Sequence, residues 1–546
     1  MYVGIPLLAK WVTLDYQNTS SRGPITVDSL AVEVLATQKP YNLLDRSQHP
    51  LPVSHSDTGP TSSWLYVQTD QPHGSDCIWV ADSHAAVDYG ADEQVLVCSY
   101  STSGASFQLG NSSGDGRVLK SVDSFRVLEL VTDSDDRERV ALSRHRMTRL
   151  LAPETQENPI FFHGTDHTPQ GFKIAVEQLA AVGFEMYIYS FGSGFTLENT
   201  DPVYIQSIAQ QVSLAHQYNI EVGGYDLIDL DRGGLGPDWD CIDTQGRVTG
   251  DGCFASGWYD HIHDIIFNFI NKTGMSMLET DGPYGGQTCS AHNHTHHSSY
   301  DDSVFQQNRL QIELYHQLKQ MNIFVNQPDG YFFQGGNKVG MGYNEDQYNL
   351  PRWQDLSVSR QGMYDDTYYH LPTQGWMQVP LIQYHGGGEA AEFDPMSRYL
   401  LEYEWALAQY LSYGVAACYR GPRLYDNVQT MGVAGKWVDF YKKYRGIVTS
   451  DIVHVRRPDM QDFDCILHVN PFITNRGLAV VFNPTSTSLN FTLSLPLYYT
   501  GISNKAIVTH EGGNPVTFDL DREYNIAVAM AMEPKTITWY LIHSGD

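Results

Sequence analysis

Positive charge is scarce in this sequence: 34 Lys+Arg stand against 63 Asp+Glu over 546 residues, a formal net charge of −29. A surface this acidic repels phosphate backbones and anionic headgroups, and short basic clusters such as "RVALSRHR" form no stripe that would offset it. Nucleic-acid and membrane partners are therefore excluded, and the expected partner is neutral and small. Long apolar runs are missing too, since nothing reaches the about 18 consecutive residues that a membrane helix needs. Cysteine is sparse, with seven residues at 77, 98, 241, 253, 289, 418 and 465. That is too few for a disulfide scaffold and too scattered for a C-x-x-C zinc site, and an odd number leaves at least one unpaired within the chain. Internal repeats and low-complexity tracts are absent. No basic-plus-apolar leader opens the chain, which begins on the strand-like "MYVGIPLLAKWVTLDY". Five N-x-S/T sequons, at Asn18, Asn111, Asn271, Asn293 and Asn490, lean with the acidic charge towards a secreted or lumenal protein. The expectation is a secreted form lacking its start, with a cytoplasmic protein as the alternative.

What is present is a large core-forming content, 42% apolar and 12% aromatic, enough for about three domains at roughly 100 to 200 residues each. Residues 1–150 alternate β-branched runs ("SLAVEVLAT", "EQVLVCSY") with Ser, Gly and Asp breakers, an all-β pattern. The stretch 144–158 reads as a linker. Between 151 and 446 short apolar runs alternate with helical stretches. Candidate strands are 159–163, 184–190, 220–225, 275–280, 322–326, 355–359, 378–383 and 414–419. Helices are expected at 169–182, 203–217, 258–271, 303–320 and 395–411, with Asp201-Pro202 and Asp394-Pro395 fitting an Asp cap followed by Pro, and a last helix is expected at 432–445. Eight such strands fit a (β/α)8 TIM barrel, and no G-x-G-x-x-G follows the first strand to favour a dinucleotide fold. Residues 447–546 return to strands and read as an antiparallel β-sandwich. The fold expected is thus multidomain, α/β and β, with a central barrel between two β regions.

Barrel enzymes carry their chemistry at the C-terminal ends of the strands. Those positions hold Asp166; Tyr225 with Asp226; Glu279 with Asp281; Asp329; Arg360 with Asp365 and Asp366; His385 with Glu389; and Arg420. Carboxylates interleaved with aromatics (Tyr284, Tyr331, Tyr364, Trp376, Tyr384) are the lining a sugar needs: acids for hydroxyls and catalysis, ring faces for stacking. The strongest element is "MSMLETDGPYGG", in which the Gly-Pro turn leaves Asp281 at a strand tip, placed to attack an anomeric carbon. "FFQGGNKVGMGYNE" lacks the G-K-[ST] ending of a phosphate loop and reads as an active-site loop offering Lys338 and Glu345. "QYHGGGEAAEFDP" comes without a G-x-S-x-G elbow, which leaves esterase chemistry little support; the glycine run is expected to let backbone approach a ligand, with His385 and Glu389 as polar contacts, and a structural turn is the alternative. In "CSAHNHTHHSS" the spacing is neither that of a helix face nor of a known finger, so a solvated or substrate-facing loop is expected and no metal. Cys241 and Cys253 flank a Gly/Asp loop as a disulfide or as buried thiols.

A β region opening on "GIPLLAKW", a barrel whose fourth strand ends in Asp281, the element "SRQGMYDD" expected after the sixth strand, and a closing β-sandwich together resemble glycoside hydrolase clan D, the α-galactosidases, chiefly family 36. The resemblance implies a retaining hydrolase of an α-linked galactose-like sugar, with Asp281 as nucleophile, Asp365 or its neighbour Asp366 as acid/base, Arg360 holding one carboxylate ionised, and no cofactor. Two departures stand out: the clan has Lys two residues before the nucleophile where this chain has Glu279, and residues 1–150 match only the later part of the family's N-terminal supersandwich. A transglycosidase of the raffinose-synthase kind, or a non-catalytic carbohydrate-binding barrel, are the alternatives.

Overall fold

The computed structural model describes residues 103–545 except 133, 135, 230–233, 283, 328–329, 342–349 and 384–387; before them it describes residues 2, 4–17, 23–37, 42–43, 65–71, 76–80 and 94–100. The chain forms two compact units, Met1–Glu154 with Phe195–Val212 and Gly223–Val339, and Thr155–Gly194 with Ser213–Val222 and Gly340–Asp546.

The N-terminal residues of the first unit are β ribbons, mostly antiparallel, as their alternation predicts, with two short parallel pairings at Asn42–Leu43 and Val118–Leu119. Leu7–Lys10 pairs with Val127–Val131, which pairs in turn with Leu65–Thr69. Leu30–Thr37, Gln94–Tyr100 and Asp76–Val80 make a second sheet, in which Cys77 and Cys98 form a disulfide. Val67, Leu96, Tyr100, Phe107 and Val127 bury one face in a cluster that includes Phe305. The expected linker at 144–158 is corrected: Arg137–Leu151 is a helix, capped by Asp136 on the N–H groups of Glu138 and Arg139. It buries Val140, Ala141, Arg144 and Met147 at helical spacing, and Arg144 lies 4.5 Å over the ring of Tyr66.

The barrel strands are β1 Phe161–Gly164, β2 Met186–Tyr189, β3 Glu221–Leu227, β4 Met277–Asp281, β5 Phe324–Asn326, β6 Val339–Gly340, β7 Gly375–Pro380 and β8 Ala416–Gly421. Their order in the sheet is β5-β4-β3-β2-β1-β8-β7-β6, and a parallel bridge between Asn326 and Lys338 joins the end of β5 to the residue preceding β6. The helices are α1 Pro169–Val182, α2 Pro202–His216, α3 Gly257–Thr273, α4 Ser303–Gln320, α5 Arg352–Asp366, α6 Leu400–Tyr413 and α7 Val428–Val448. α1 shows how the sequence specifies them: Thr168 caps Gly171, Pro169 starts the first turn, Phe172, Ala175, Val176 and Leu179 form the buried stripe, and Gly183 ends it at φ 88°. α6 begins at Leu400 rather than at the expected Pro395.

Seven of the eight expected strands are present near their predicted places, and the sixth is corrected. Residues 355–359 lie inside α5, where Asp355, Leu356, Ser359, Arg360 and Met363 are buried with a helical period. The Leu-Ser-Val-Ser alternation imitates a strand, but Pro351 before Arg352 starts a helix. The true sixth strand is two residues long and sits among glycines, too short to produce a pattern.

Residues after α7 form a sandwich. Six strands run in the order Asp451–Arg456, Asp464–Val469, Gly477–Asn483, Thr536–Ser544, Lys505–His510, Pro515–Asp519, with Leu489–Pro496 and Asn525–Met532 as a separate pair. Leu467, Val481, Leu495, Val508 and Val528 from both layers share one core.

Candidate active site

The site is built on β3 and β4. Along β4, Met277, Leu278 and Thr280 are buried while Glu279 and Asp281, two apart and so on one face, are half-buried. The Thr280 hydroxyl lies 3.1 Å from that of Tyr315, which fixes the outer face of the strand. Parallel pairing sets Tyr225 beside Glu279 and Leu227 beside Asp281. The Tyr225 hydroxyl donates to Asp281 Oδ2 at 2.6 Å, and the Tyr284 hydroxyl donates to Oδ1. Burial, and then the hydrogen bond to Asp281, push the Tyr225 phenol far above its ordinary value, so it remains a donor. Asn326, at the end of β5, donates to Glu279 Oε2 at 2.7 Å. A carboxylate at a strand tip, with each oxygen receiving a phenolic O–H, is oriented and keeps lone pairs for a second partner.

The local backbone explains the placement. Gly223 and Gly224 permit the close approach: a Cβ at Gly223 would stand 2.3 Å from Met277 Sδ, and one at Gly224 2.4 Å from Phe195 Cε1. The turn after Asp281 needs φ 78° at Gly282, and Ile228 N–H donates to the Asp281 carbonyl at 3.2 Å.

The strand ends of the second unit carry other expected residues. Asp166 Oδ1 accepts from the Thr168 N–H at 2.9 Å, so it shapes the turn into α1. Arg420 at the end of β8 donates to Ser190 Oγ at 3.0 Å and to the Phe191 carbonyl at 2.7 Å, both at the end of β2. Glu389, after β7, is exposed and pairs with Arg398 at 2.8 Å. In the first unit Asp226 is buried on β3, and Lys338 is fully buried at the bridge to Asn326. Asp329, His385, Tyr384 and Glu345 lie outside the described residues.

Three expected site residues require correction, because all three stand on α5 and not after a strand. Arg360 is fully buried and its Nε and Nη2 donate to Asp464 of the C-terminal sandwich at 3.0 and 3.1 Å. Asp365 pairs with Arg457 at 2.6 Å, and Asp366 ends the helix. A helix that leads back to β7 ends on the face where the strands begin, opposite to the face on which barrel enzymes hold their chemistry. Tyr331 and Tyr364 are likewise core residues, Tyr331 bonded to Gln311 and Tyr364 set against His454 with ring centroids 4.8 Å apart, and neither presents a face to a sugar.

The histidine tract also differs from expectation. Cys289, His294 and His297 are buried, and with Cys253 they offer four potential ligand atoms all within 4.8 Å of one another. His296 turns away to Asp260 at 2.9 Å. Spacing along the chain concealed the cluster because Cys253 comes from a different loop. The disulfide alternative for Cys241 and Cys253 is not realised, as both are free and buried.

Compared with family models and with curated proteins, the sequence finds no match. The fold does match solved structures. It superposes on the galactosidase domain of the α-galactosidase–sucrose kinase AgaSK with a TM-score of 0.65 at 12% identity, covering 98% of this chain and 78% of that one. An α-galactosidase from Lactobacillus brevis matches with a TM-score of 0.63 at 12% identity, over 98% and 78% of the two chains. The GH36 α-galactosidase AgaA from Geobacillus stearothermophilus, a variant in complex with raffinose, gives 0.63 at 10% identity over 99% and 79%. The chain therefore has the fold of GH36 α-galactosidases, a (β/α)8 barrel with β regions on either side in sequence.

Proposed function

We propose that the protein is a retaining α-glycosidase acting on an α-linked galactose-like sugar, with Asp281 as its nucleophile. The observation that carries this reading is the Asp281 carboxylate at the tip of β4, accepting from Tyr225 and Tyr284, within a fold shared with α-galactosidases, one of them complexed with raffinose. In the first step an Asp281 oxygen attacks the anomeric carbon while an acid protonates the departing oxygen; in the second the same group, now a base, activates the water that releases the sugar. Neither step needs a metal at the reacting bond. Glu279, bound by Asn326, replaces the clan's lysine with an acceptor, which changes what the site offers a sugar hydroxyl.

The resemblance locates the acid after the sixth strand. Because that strand is Val339–Gly340, the carboxylates that follow it in sequence, Glu345 and Asp346, replace Asp365 and Asp366 as its candidates.

The test is release of sugar from aryl α-galactosides and from raffinose, beside the α-glucoside and β-galactoside counterparts. Turnover of the α-galactosides alone supports the reading; inactivity on all α-glycosides by a folded preparation rejects it. Tyr225→Phe removes one hydrogen bond to a charged group, an interaction of about 1.5–3 kcal/mol, so kcat/KM should fall by roughly ten- to a hundred-fold while the melting temperature stays near wild type. Unchanged kinetics would separate Tyr225 from the chemistry.

A further inference from the structure

Outside the carboxylate site, the first unit contains a second cluster of chemically active side chains. Cys253 lies just before the Ser256 cap of α3, while Cys289, His294 and His297 come from the loop between β4 and α4. All four are fully buried.

We propose that Cys253, Cys289, His294 and His297 form a closed, structural zinc site that ties the loop before α3 to the loop following Asp281. Three observations support it. The first is spacing. Zinc bonds of about 2.3 Å to sulfur and 2.0–2.1 Å to nitrogen imply tetrahedron edges of about 3.3 Å between nitrogens and about 3.6 Å between nitrogen and sulfur. His294 Nδ1 lies 3.1 Å from His297 Nε2 and 3.6 Å from Cys289 Sγ.

The second is tautomer. His294 Nε2 faces the Pro237 carbonyl at 3.2 Å, and His297 Nδ1 faces the Ser299 carbonyl at 3.0 Å. A carbonyl only accepts, so those nitrogens carry the protons. The remaining lone pairs of the two rings then point at each other across 3.1 Å, an arrangement that is repulsive until a cation sits between them. Carbonyl partners on the outer ring nitrogens are also how metal-binding histidines are oriented.

The third is the scaffold. The Ile242 N–H donates to Cys289 Sγ at 3.3 Å, and the surrounding backbone is already cross-linked by Cys253 N to Trp239 O at 2.7 Å, Ser290 N to Ile242 O at 2.7 Å and His296 N to Ala255 O at 3.0 Å. Two thiolates and two imidazoles in one buried set suit zinc, and four protein ligands leave no open position for catalysis. Its role is mechanical: the same loop begins at Gly282 and carries Tyr284, which holds Asp281.

The test uses the full chain, expressed with zinc and purified under reducing conditions without chelator. Elemental analysis should find one zinc per chain. Cys289→Ser and His294→Ala should lose it, whereas His292→Ala and His296→Ala, in the same tract but outside the cluster, should keep it. Because a ligand variant could fail to fold, the wild-type chain is also stripped with chelator and reloaded with cobalt(II). Ligand-field bands of a tetrahedral ion with a thiolate charge-transfer band, and a melting temperature restored by metal, support the site. Absence of zinc and of cobalt bands in folded wild-type protein overturns it, as does a disulfide between any two of Cys241, Cys253 and Cys289 in the reduced preparation.

Discussion

Asp281→Asn should reduce kcat on every glycoside the protein turns over by about 10⁴-fold or more, with far-UV circular dichroism and melting temperature close to wild type. The amide keeps the shape of the carboxylate but lacks the charge that attacks the anomeric carbon, and losses of this size accompany removal of a nucleophile. Stability should survive because Asp281 is only half-buried and its partners are phenols: the amide oxygen still accepts from one, and the hydroxyl of the other can turn to accept from the amide N–H. Asp365→Ala is the matched control. Its carboxylate pairs with Arg457 at the end of α5, so activity should stay within about twofold of wild type, as for a surface ion pair. Substitution of the true acid behaves differently again: aryl glycosides with good leaving groups keep turning over, and azide accelerates the second step. Glu345→Ala and Asp346→Ala are the variants in which to look for that signature. An Asp281→Asn protein with wild-type kcat would remove the retaining mechanism proposed above, whatever the fold.

Arg360→Leu should be the most destabilising single substitution among the residues that the sequence marks as polar site candidates, costing about 3–5 kcal/mol in chemical denaturation. The guanidinium is fully buried and gives Asp464 bonds at 3.0, 3.2 and 3.1 Å, with Gln409 Oε1 at 3.3 Å. Removing it strands a buried carboxylate. Burial pushes the Asp464 carboxyl up to about 6 even with Arg360 pulling it down, so without Arg360 it rises further and binds a proton on folding. A folded-state value above the unfolded one makes stability fall as pH rises through that window. The Arg360→Leu protein should therefore lose more stability at pH 8 than at pH 5. Arg360→Leu with Asp464→Leu replaces the pair by apolar groups and should recover most of the loss. The kcat of the folded fraction should be unchanged in both variants; a fall in kcat at unaltered stability would return Arg360 to the active site.

Seven barrel strands were readable because each is an apolar run bounded by breakers, and the βα alternation needs no distant information. The N-terminal ribbons and the closing sandwich were readable for the same reason. Asp281 was readable because strand alternation, a Gly-Pro turn and a strand end all lie within one short segment. β6 was not, since two residues carry no period. The strand expected at 355–359 failed because Leu356 and Val358 alternate as in a strand while the capping context and the buried face belong to a helix.

The sequence by itself determined the β, βα, β order of elements along the chain and the strand tip that holds Asp281. These depend on composition or on residues close along the chain, where period and turn chemistry act. Tertiary structure alone decided which polar groups meet. Arg360 finds Asp464 across 104 positions, Tyr225 reaches Asp281 across 56, and Cys253 joins Cys289, His294 and His297 from another loop. Such pairings are set by how strands and loops are brought side by side in the folded chain, a geometry that no local period encodes.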